Sequence, residues 1–153
     1  MKTRGGALAY GLVIASILWP LLLVAAVRQQ MSGPSAWSAA VYLAASRICH
    51  QRDERSFHTH GVKWPVCARC SGLYLAAPLG ALVALAGGRG LRRSWDLKTL
   101  ALCAFPTAAT FVLEHGGIAS VTSTQRFIAA LPLGAAVAWV VVRAARGPHA
   151  AIE

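Results

Sequence analysis

The sequence predicts an all-α polytopic membrane protein, a bundle of about four transmembrane helices with one short interfacial helix. Two observations predict this class. Of the 153 residues, 56% are hydrophobic and 13% are charged, whereas soluble domains carry about 25% charged residues. The apolar residues also form four runs separated by basic or polar segments, and each is close to the roughly 20 residues that a spanning helix needs. A chain of this length is expected to form a single membrane domain.

The first predicted span follows two basic residues, Lys2 and Arg4, and ends before Arg28. Its apolar run is longer than the hydrophobic core of a usual secretory signal peptide, so we expect a retained helix and not a cleaved leader. The four spans are predicted at about residues 7–27, 65–86, 97–113 and 126–142, and a polar motif loop is predicted at residues 47–74.

Local signals refine this arrangement. Ser35 can cap a short helix from Ala36 to about Ile48, which cannot cross a bilayer at this length and is predicted to lie at its interface. Proline is well tolerated at the first helical position, so the second span is predicted to begin at Pro65. Small residues also recur at four-residue spacing and predict close helix packing. They are Ala76, Gly80 and Ala84 in one span, and Gly134 and Ala138 in another.

The net charge of +10 at neutral pH is a feature of many nucleic-acid-binding domains. Here, however, the basic residues flank apolar runs, where they orient a chain in the membrane and contact anionic lipid headgroups. We therefore expect the lipid bilayer with its anionic headgroups as partner, and we exclude nucleic acid. A membrane-protein partner is left undetermined.

The distribution of basic residues also predicts an orientation. The short loop after the second span is basic, whereas residues 114–125 contain no lysine or arginine; the loop's basic residues are Arg89, Arg92, Arg93 and Lys98. Because cytoplasmic loops are enriched in these two residues, both termini are predicted to be cytoplasmic. The protein is then expected in a plasma membrane, with the motif loop at the outer face.

The motif loop contains three of the four cysteines. Cys67 and Cys70 are three residues apart, so they share one face of a helical first turn, where the helix N-terminus lowers the pKa of a thiol. Cys49 and His50 supply a third sulfur and an imidazole. Three cysteines and one histidine form a common structural zinc set. The predicted metal ligands are therefore Cys49, His50, Cys67 and Cys70, with zinc as the cofactor.

Other arrangements of these residues stay open. Neighbouring residues rarely ligate the same ion, so another histidine could replace His50; the candidates are His58, His60 and His115. Cys67 and Cys70 could instead exchange a disulfide, with Cys49 as the attacking partner. A simple disulfide between Cys49 and one of the other two is the structural alternative. Cys103 lies in the third predicted span, nearer the opposite face, and is not expected to reach them.

The arginines near the cysteines have three interpretations. Arg52, Arg55 and Arg69 could contact headgroup phosphates. Arg55 and Arg69 could pair with a nearby carboxylate and fix the loop; the acidic candidates are Asp53, Glu54 and Glu114. The guanidinium groups could also hold an anionic substrate. The residues predicted to support the site are Arg55, Arg69, Glu114 and His115.

The leading functional interpretation is a small integral membrane protein whose outer-face loop binds zinc in a structural or accessory role. A membrane thiol–disulfide oxidoreductase that works with a lipid quinone is one alternative. A non-catalytic membrane subunit or scaffold is the other. The sequence does not decide whether the protein is an enzyme, and it assigns no catalytic residue.

Several blocks of the sequence from Cys49 onward resemble a known family. They are Cys49-His50-Gln51, Arg55-Ser56-Phe57, Gly61, the run from Pro65 to Tyr74, and the weaker Ser123-Thr124-Gln125-Arg126. These blocks resemble a bacterial family of predicted integral membrane proteins, domain of unknown function 2085. Glu114 stands where the resemblance would place an aspartate, and His115 precedes Gly116. The resemblance implies a small multi-span membrane protein and brings no established activity.

Overall fold

The computed structural model describes residues 2–87 and 93–146. These residues form five α-helices and a small antiparallel sheet of two strands. The helices are α1 (Lys2–Ser32), α2 (Ala36–Ser46), α3 (Ala68–Ala86), α4 (Arg93–His115) and α5 (Ser123–Ala145), and the strands are β1 (Ser56–Thr59) and β2 (Val62–Cys67). Four of the helices, α1, α3, α4 and α5, are long and apolar enough to cross a membrane. The predicted all-α membrane bundle is therefore confirmed.

The short helix α2 begins as the sequence predicts. The hydroxyl of Ser35 accepts a hydrogen bond from the backbone N–H of Ser38, and the Ser38 hydroxyl satisfies the N–H of Ser35 in return. Such a reciprocal cap satisfies N–H groups that have no partner within the helix. The helix ends at Ser46, two residues before the predicted end at Ile48, and its 11 residues are too few to span a bilayer.

The prediction that a helix begins at Pro65 is wrong. Pro65 lies inside strand β2, and α3 begins at Ala68 with Cys67 as its N-cap. Both strands of a two-stranded sheet are edge strands, so a residue without an N–H need not interrupt the ladder. The hairpin turn is formed by His60 and Gly61, which both have positive φ, at 48° and 77°. This combination matches the right-handed twist of paired strands.

The loop between the last two spans is shorter than predicted. Helix α4 continues to His115 and not to about Leu113. Helix α5 begins at Ser123, where Thr122 and Gln125 form a reciprocal cap. Glu114 and His115 therefore lie in the last turn of α4.

Helices α3 and α5 pack closely because small residues face each other between them. A Cβ atom on Gly80 would collide with the backbone carbonyl of Ala135, and one on Gly134 would collide with the backbone of Leu73. Ala76 is buried on the same helix as Gly80. The close approach that the small-residue spacing predicts is thus confirmed.

The bundle has two distinct ends. At one end, α1 and α4 finish and α3 and α5 begin; this end holds the hairpin and is called the motif end. At the other end, the guanidinium of Arg146 donates hydrogen bonds to the last carbonyls of α3, on Ala84, Leu85 and Gly87, at 2.5, 3.1 and 3.2 Å. A cationic side chain stabilises a helix C-terminus, where the last carbonyl groups carry partial negative charge. The cysteines of the motif loop all lie at the motif end.

Candidate functional site

Three cysteines converge at the motif end and are called the cysteine triad. Cys49 lies in the loop after α2, Cys67 ends β2, and Cys70 is in the first turn of α3. Their sulfur atoms all lie within 4.8 Å of one another, and all three are free thiols in the structure. The chain therefore brings together sulfurs that are up to 21 residues apart in sequence.

The surroundings of the triad favour the thiolate form of Cys49. The side chains of Cys67 and Cys70 donate hydrogen bonds to its sulfur, and the backbone N–H groups of Cys67 and Gln51 add to them. The distance from the Cys67 nitrogen to the Cys49 sulfur is 3.2 Å. These bonds hold the pKa of Cys49 well below its ordinary value, although burial opposes the shift.

A second set of bonds fixes the loop that carries Cys49. The Gln51 side chain donates to the carbonyl oxygens of Tyr42 and Pro65 at 2.9 and 2.7 Å. Lys63 donates to the Gln51 carbonyl at 3.0 Å, and the Tyr42 hydroxyl donates to the Lys63 carbonyl at 2.6 Å. Gln51 itself has a positive φ of 47°. Gln51 thus ties the loop to both α2 and β2, and so positions Cys49.

The triad lies against an apolar cluster that includes α1. Cys49 is only 8% exposed, and it packs with the buried residues Leu23, Ala45 and Val66. Tyr74 packs against the same cluster and contacts the ring of Trp19 edge-on, with centroids 6.1 Å apart. Cys49 is therefore shielded from water, whereas Cys67 and Cys70 are half-buried.

The structure does not bring the predicted histidine ligands to the triad. His50 is exposed, and among the described residues the group of converging ligand atoms consists of the three cysteines. His58 contacts Asp53 at 3.2 Å, and His115 stacks on Phe111 with ring centroids 3.9 Å apart. His60 lies in the hairpin turn. Cys103, as predicted, is not part of the group.

A second cluster at the motif end surrounds Glu114 with three arginines and is called the arginine cluster. Arg126 binds the carboxylate with two nitrogens, at 3.0 and 3.2 Å. Arg69 contacts the carboxylate at 3.0 Å, and Arg55 contacts it at 3.0 Å as well. The side chains of Glu114, Arg69 and Arg126 are 11%, 15% and 10% exposed, and that of Arg55 is 27% exposed. The predicted pairing of Arg55 and Arg69 with a nearby carboxylate is therefore confirmed, with Glu114 as the partner.

The two clusters lie on different sides of the first turn of α3. Cys70 packs against the apolar cluster that contains Leu23 of α1 and Cys49. Arg69 faces α4, where its guanidinium lies 5.5 Å from the ring centroid of Phe111. Among the described residues, no hydrogen bond joins a guanidinium to a cysteine sulfur. Arg69 therefore serves the arginine cluster by direct contact, and it is not a direct partner of the thiols.

The donor set of the triad fits a thiolate-binding metal ion. Sulfurs bound to one tetrahedral zinc ion, each at about 2.3 Å, lie roughly 3.8 Å apart. The triad sulfurs are within 4.8 Å of one another, so small rotations of the side chains suffice. Soft thiolate ligands select zinc or Cu(I) over magnesium and calcium.

A known protein family matches more than half of the chain. Residues 49–140 match a family described as "Predicted membrane protein (DUF2085)". The chain belongs to this family. The DUF2085 region begins at Cys49 and contains both the cysteine triad and the arginine cluster.

Two archaeal proteins are similar to parts of the chain. An uncharacterized protein of Methanocaldococcus jannaschii is 44% identical over 46 residues, which is 30% of each chain. An uncharacterized protein of Methanothermobacter thermautotrophicus is 53% identical over 30 residues, which is 20% of this chain and 27% of that protein. The chain thus spans less than a third of the length of these relatives. Because these relatives are archaeal, the expectation of a bacterial family is not borne out. No solved structure matches the chain.

The sequence alone does not reveal the roles of two residues in these clusters. The sequence places Arg126 at the start of the fourth span and in the weaker family block without giving it a role, yet it makes the two-nitrogen contact with Glu114. Gln51 was noted in the family block but given no role. The signal for Arg126 was present, because a charged residue buried at the end of a spanning helix requires a partner of opposite charge.

Proposed function

We propose that the cysteine triad of this integral membrane protein binds one zinc ion in a structural role. The convergence of three sulfurs, on the loop after α2, on β2 and on α3, carries the proposal. A disulfide would use two of these sulfurs and leave the third beside it, whereas a metal ion uses all three. The ion would fasten the motif loop and the hairpin to the start of α3.

Zinc would be held by the thiolates of Cys49, Cys67 and Cys70. Bound zinc neutralises thiolate charge and ties together segments that have little core of their own. Metal ligands must be deprotonated, so binding of zinc would release the protons that the thiols carry. Three sulfurs leave one position of a tetrahedral ion for a further ligand. His50 is exposed in the structure, and its side chain would have to turn toward the triad to fill that position.

Metal content of variants tests the proposal. Protein purified in a non-ionic detergent should contain about one zinc ion per chain by mass spectrometry. Cys49→Ser, Cys67→Ser and Cys70→Ser should each lose it, because each removes one of three ligands. Cys103→Ser is the matched control and should keep it, and His50→Ala measures whether the imidazole completes the site. Metal-free wild-type protein whose Cys67 and Cys70 resist alkylation until reductant is added would overturn the zinc proposal.

A thiol–disulfide oxidoreductase is the second candidate, and an apolar cavity favours it. The cavity has a volume of about 390 Å³ and lies between α1, α3 and α5, with Leu12, Leu73 and Leu133 among its lining residues. Tyr74 lines the cavity and also packs against the triad. Oxidation of Cys67 and Cys70 to a disulfide releases two electrons and two protons, which a lipid quinone in this cavity would accept. Alkylation of variants separates the two functions, because loss of a resolving cysteine traps a mixed disulfide.

We further propose that both termini are cytoplasmic, which places the motif end at the outer face of the plasma membrane. The basic residues between the second and third spans, set against a loop without lysine or arginine after α4, support this orientation. Topology reporters fused to the loops are the measurement that decides it.

A further inference from the structure

The arginine cluster contains more positive charge than its carboxylate can balance. Guanidinium groups stay protonated in proteins, so Arg55, Arg69 and Arg126 contribute three positive charges against the one negative charge of Glu114. Two nearby acidic residues do not correct the difference. Asp53 contacts His58, and Glu54 is exposed, without an ion pair to the cluster.

The cluster also has unused hydrogen-bond donors. A carboxylate offers roughly four acceptor positions. Glu114 accepts hydrogen bonds from two Arg126 nitrogens and one Arg69 nitrogen, and Arg55 contacts it as an ion pair at 3.0 Å. Each guanidinium carries about five N–H donors. The Nε of Arg69 is buried and has no partner among the described residues, and a buried donor without a partner is costly.

The position of the cluster limits what can supply the missing acceptors. Arg69 and Arg126 lie in the first turns of α3 and α5, and Glu114 lies in the last turn of α4. These are the ends of candidate spans, which lie level with lipid headgroups. Arg55 is the most exposed member of the cluster, at 27%. A ligand would therefore enter beside Arg55, while Arg126 holds the carboxylate.

We propose that the arginine cluster binds a phosphate-type oxyanion through Arg55 and Arg69. The planar forks of arginine match the spacing of phosphate oxygens, and a phosphate group carries one or two negative charges against the surplus of two. The site is separate from the cysteine triad. The phosphate group belongs either to a phospholipid headgroup or to a small soluble phosphate, and the chemistry of recognition is the same.

Two binding measurements distinguish these sources. In the first, full-length protein in a non-ionic sugar detergent without phosphate is titrated with inorganic phosphate at constant ionic strength, by isothermal calorimetry. In the second, protein extracted with the same detergent from vesicles of phosphatidylglycerol and phosphatidylcholine is analysed for retained phospholipid by native mass spectrometry. A soluble phosphate ligand gives saturable binding in the first measurement. A headgroup ligand gives retained phospholipid in the second.

Substitutions of two arginines in the same loop, Arg55 and Arg52, test which guanidinium binds the anion. Arg55→Gln removes the accessible guanidinium and leaves Arg69 and Arg126 to neutralise Glu114, so the fold should persist, as checked by circular dichroism. It should weaken anion binding at least about tenfold, because a charge-assisted pair of hydrogen bonds is lost. Arg55→Lys should give an intermediate loss, since lysine keeps the charge without the fork. Arg52→Gln is the matched control, because Arg52 is exposed in the same loop and should bind as the wild type does.

The pattern across both measurements decides the proposal. If binding in either measurement is weakened by Arg55→Gln and not by Arg52→Gln, the proposed site is supported. The measurement that shows this binding identifies the source of the phosphate group. No saturable phosphate binding together with no retained phospholipid overturns it. An equal effect of the two glutamine variants also overturns the proposal, because binding would then depend only on the general positive charge of the loop.

Discussion

Replacing Glu114 by glutamine tests whether the arginine cluster holds the motif end together. The amide is nearly the same size as the carboxylate, so the packing around the end of α4 should be kept. The change removes the one negative charge that faces Arg55, Arg69 and Arg126. It also replaces two carboxylate acceptors by one, because the amide nitrogen is a donor and opposes the guanidinium groups.

The cost can be worked out from the exposure of each partner. Removing one member of a buried ion pair costs about 3–5 kcal/mol, because a charge is left without compensation. The side chains of Arg69 and Arg126 are 15% and 10% exposed and cannot regain full hydration. Arg55 is 27% exposed and recovers part of its hydration, so its contribution is discounted. We expect Glu114→Gln to lower the free energy of unfolding by about 3 kcal/mol.

The assay is unfolding in mixed micelles, followed by circular dichroism as the fraction of denaturing detergent is raised. Glu54→Gln is the control, because Glu54 is exposed and carries the same charge in the same region; it should change stability by less than about 0.5 kcal/mol. Glu114→Gln combined with Arg126→Gln should cost less than the two single changes added together, since they share one interaction. If Glu114→Gln is as stable as Glu54→Gln, the ion pairs contribute nothing and the reasoning fails.

Two further predictions concern helix packing and orientation. Gly80→Ala should destabilise the bundle by about 1–3 kcal/mol, because the new methyl group meets the Ala135 carbonyl; Gly11→Ala, where nothing lies within 4 Å, should be neutral in the same unfolding assay. Equal effects would show that α3 and α5 are not in close contact. Reporters fused after Met31 and Ala119 should be active outside the cytoplasm and one fused after Arg93 should be active inside it; the reverse pattern would place the triad in a reducing compartment, where disulfides are rare.

The spanning helices could be predicted because each is specified locally. A bilayer requires about 20 consecutive apolar residues with all backbone bonds made inside the segment, and the described residues meet this requirement four times. The hairpin could not be predicted from the same evidence. Pro65 fits the first turn of a helix and also an edge strand, and the choice depends on the pairing of Val62–Cys67 with Ser56–Thr59.

The two clusters differ in how far the sequence could reveal them. Cys67 is the N-cap of α3 and Cys70 lies in its first turn, so their proximity follows from the spacing of three residues. Cys49 was a reasonable third member because it lies in the same polar loop. The contact between Arg69 and Glu114 joins residues 45 apart and depends on how α3 packs beside α4. Spacing carries no information on such a contact, so the sequence leaves three candidate carboxylates for Arg69 and does not identify Arg126 as a further partner of Glu114.

The first turn of α3 links the two clusters without merging them. Cys67 and Cys70 direct their sulfurs toward Cys49 and the end of α1, while Arg69 points to Glu114 on α4. The start of one helix is therefore attached on one side to the motif loop and on the other to the neighbouring spans. A metal ion at the triad would fix the loop, and an oxyanion at the arginine cluster would offset its surplus charge. Each ligand would thus stabilise the same turn through different atoms, so loss of one should leave the other site's partners in place.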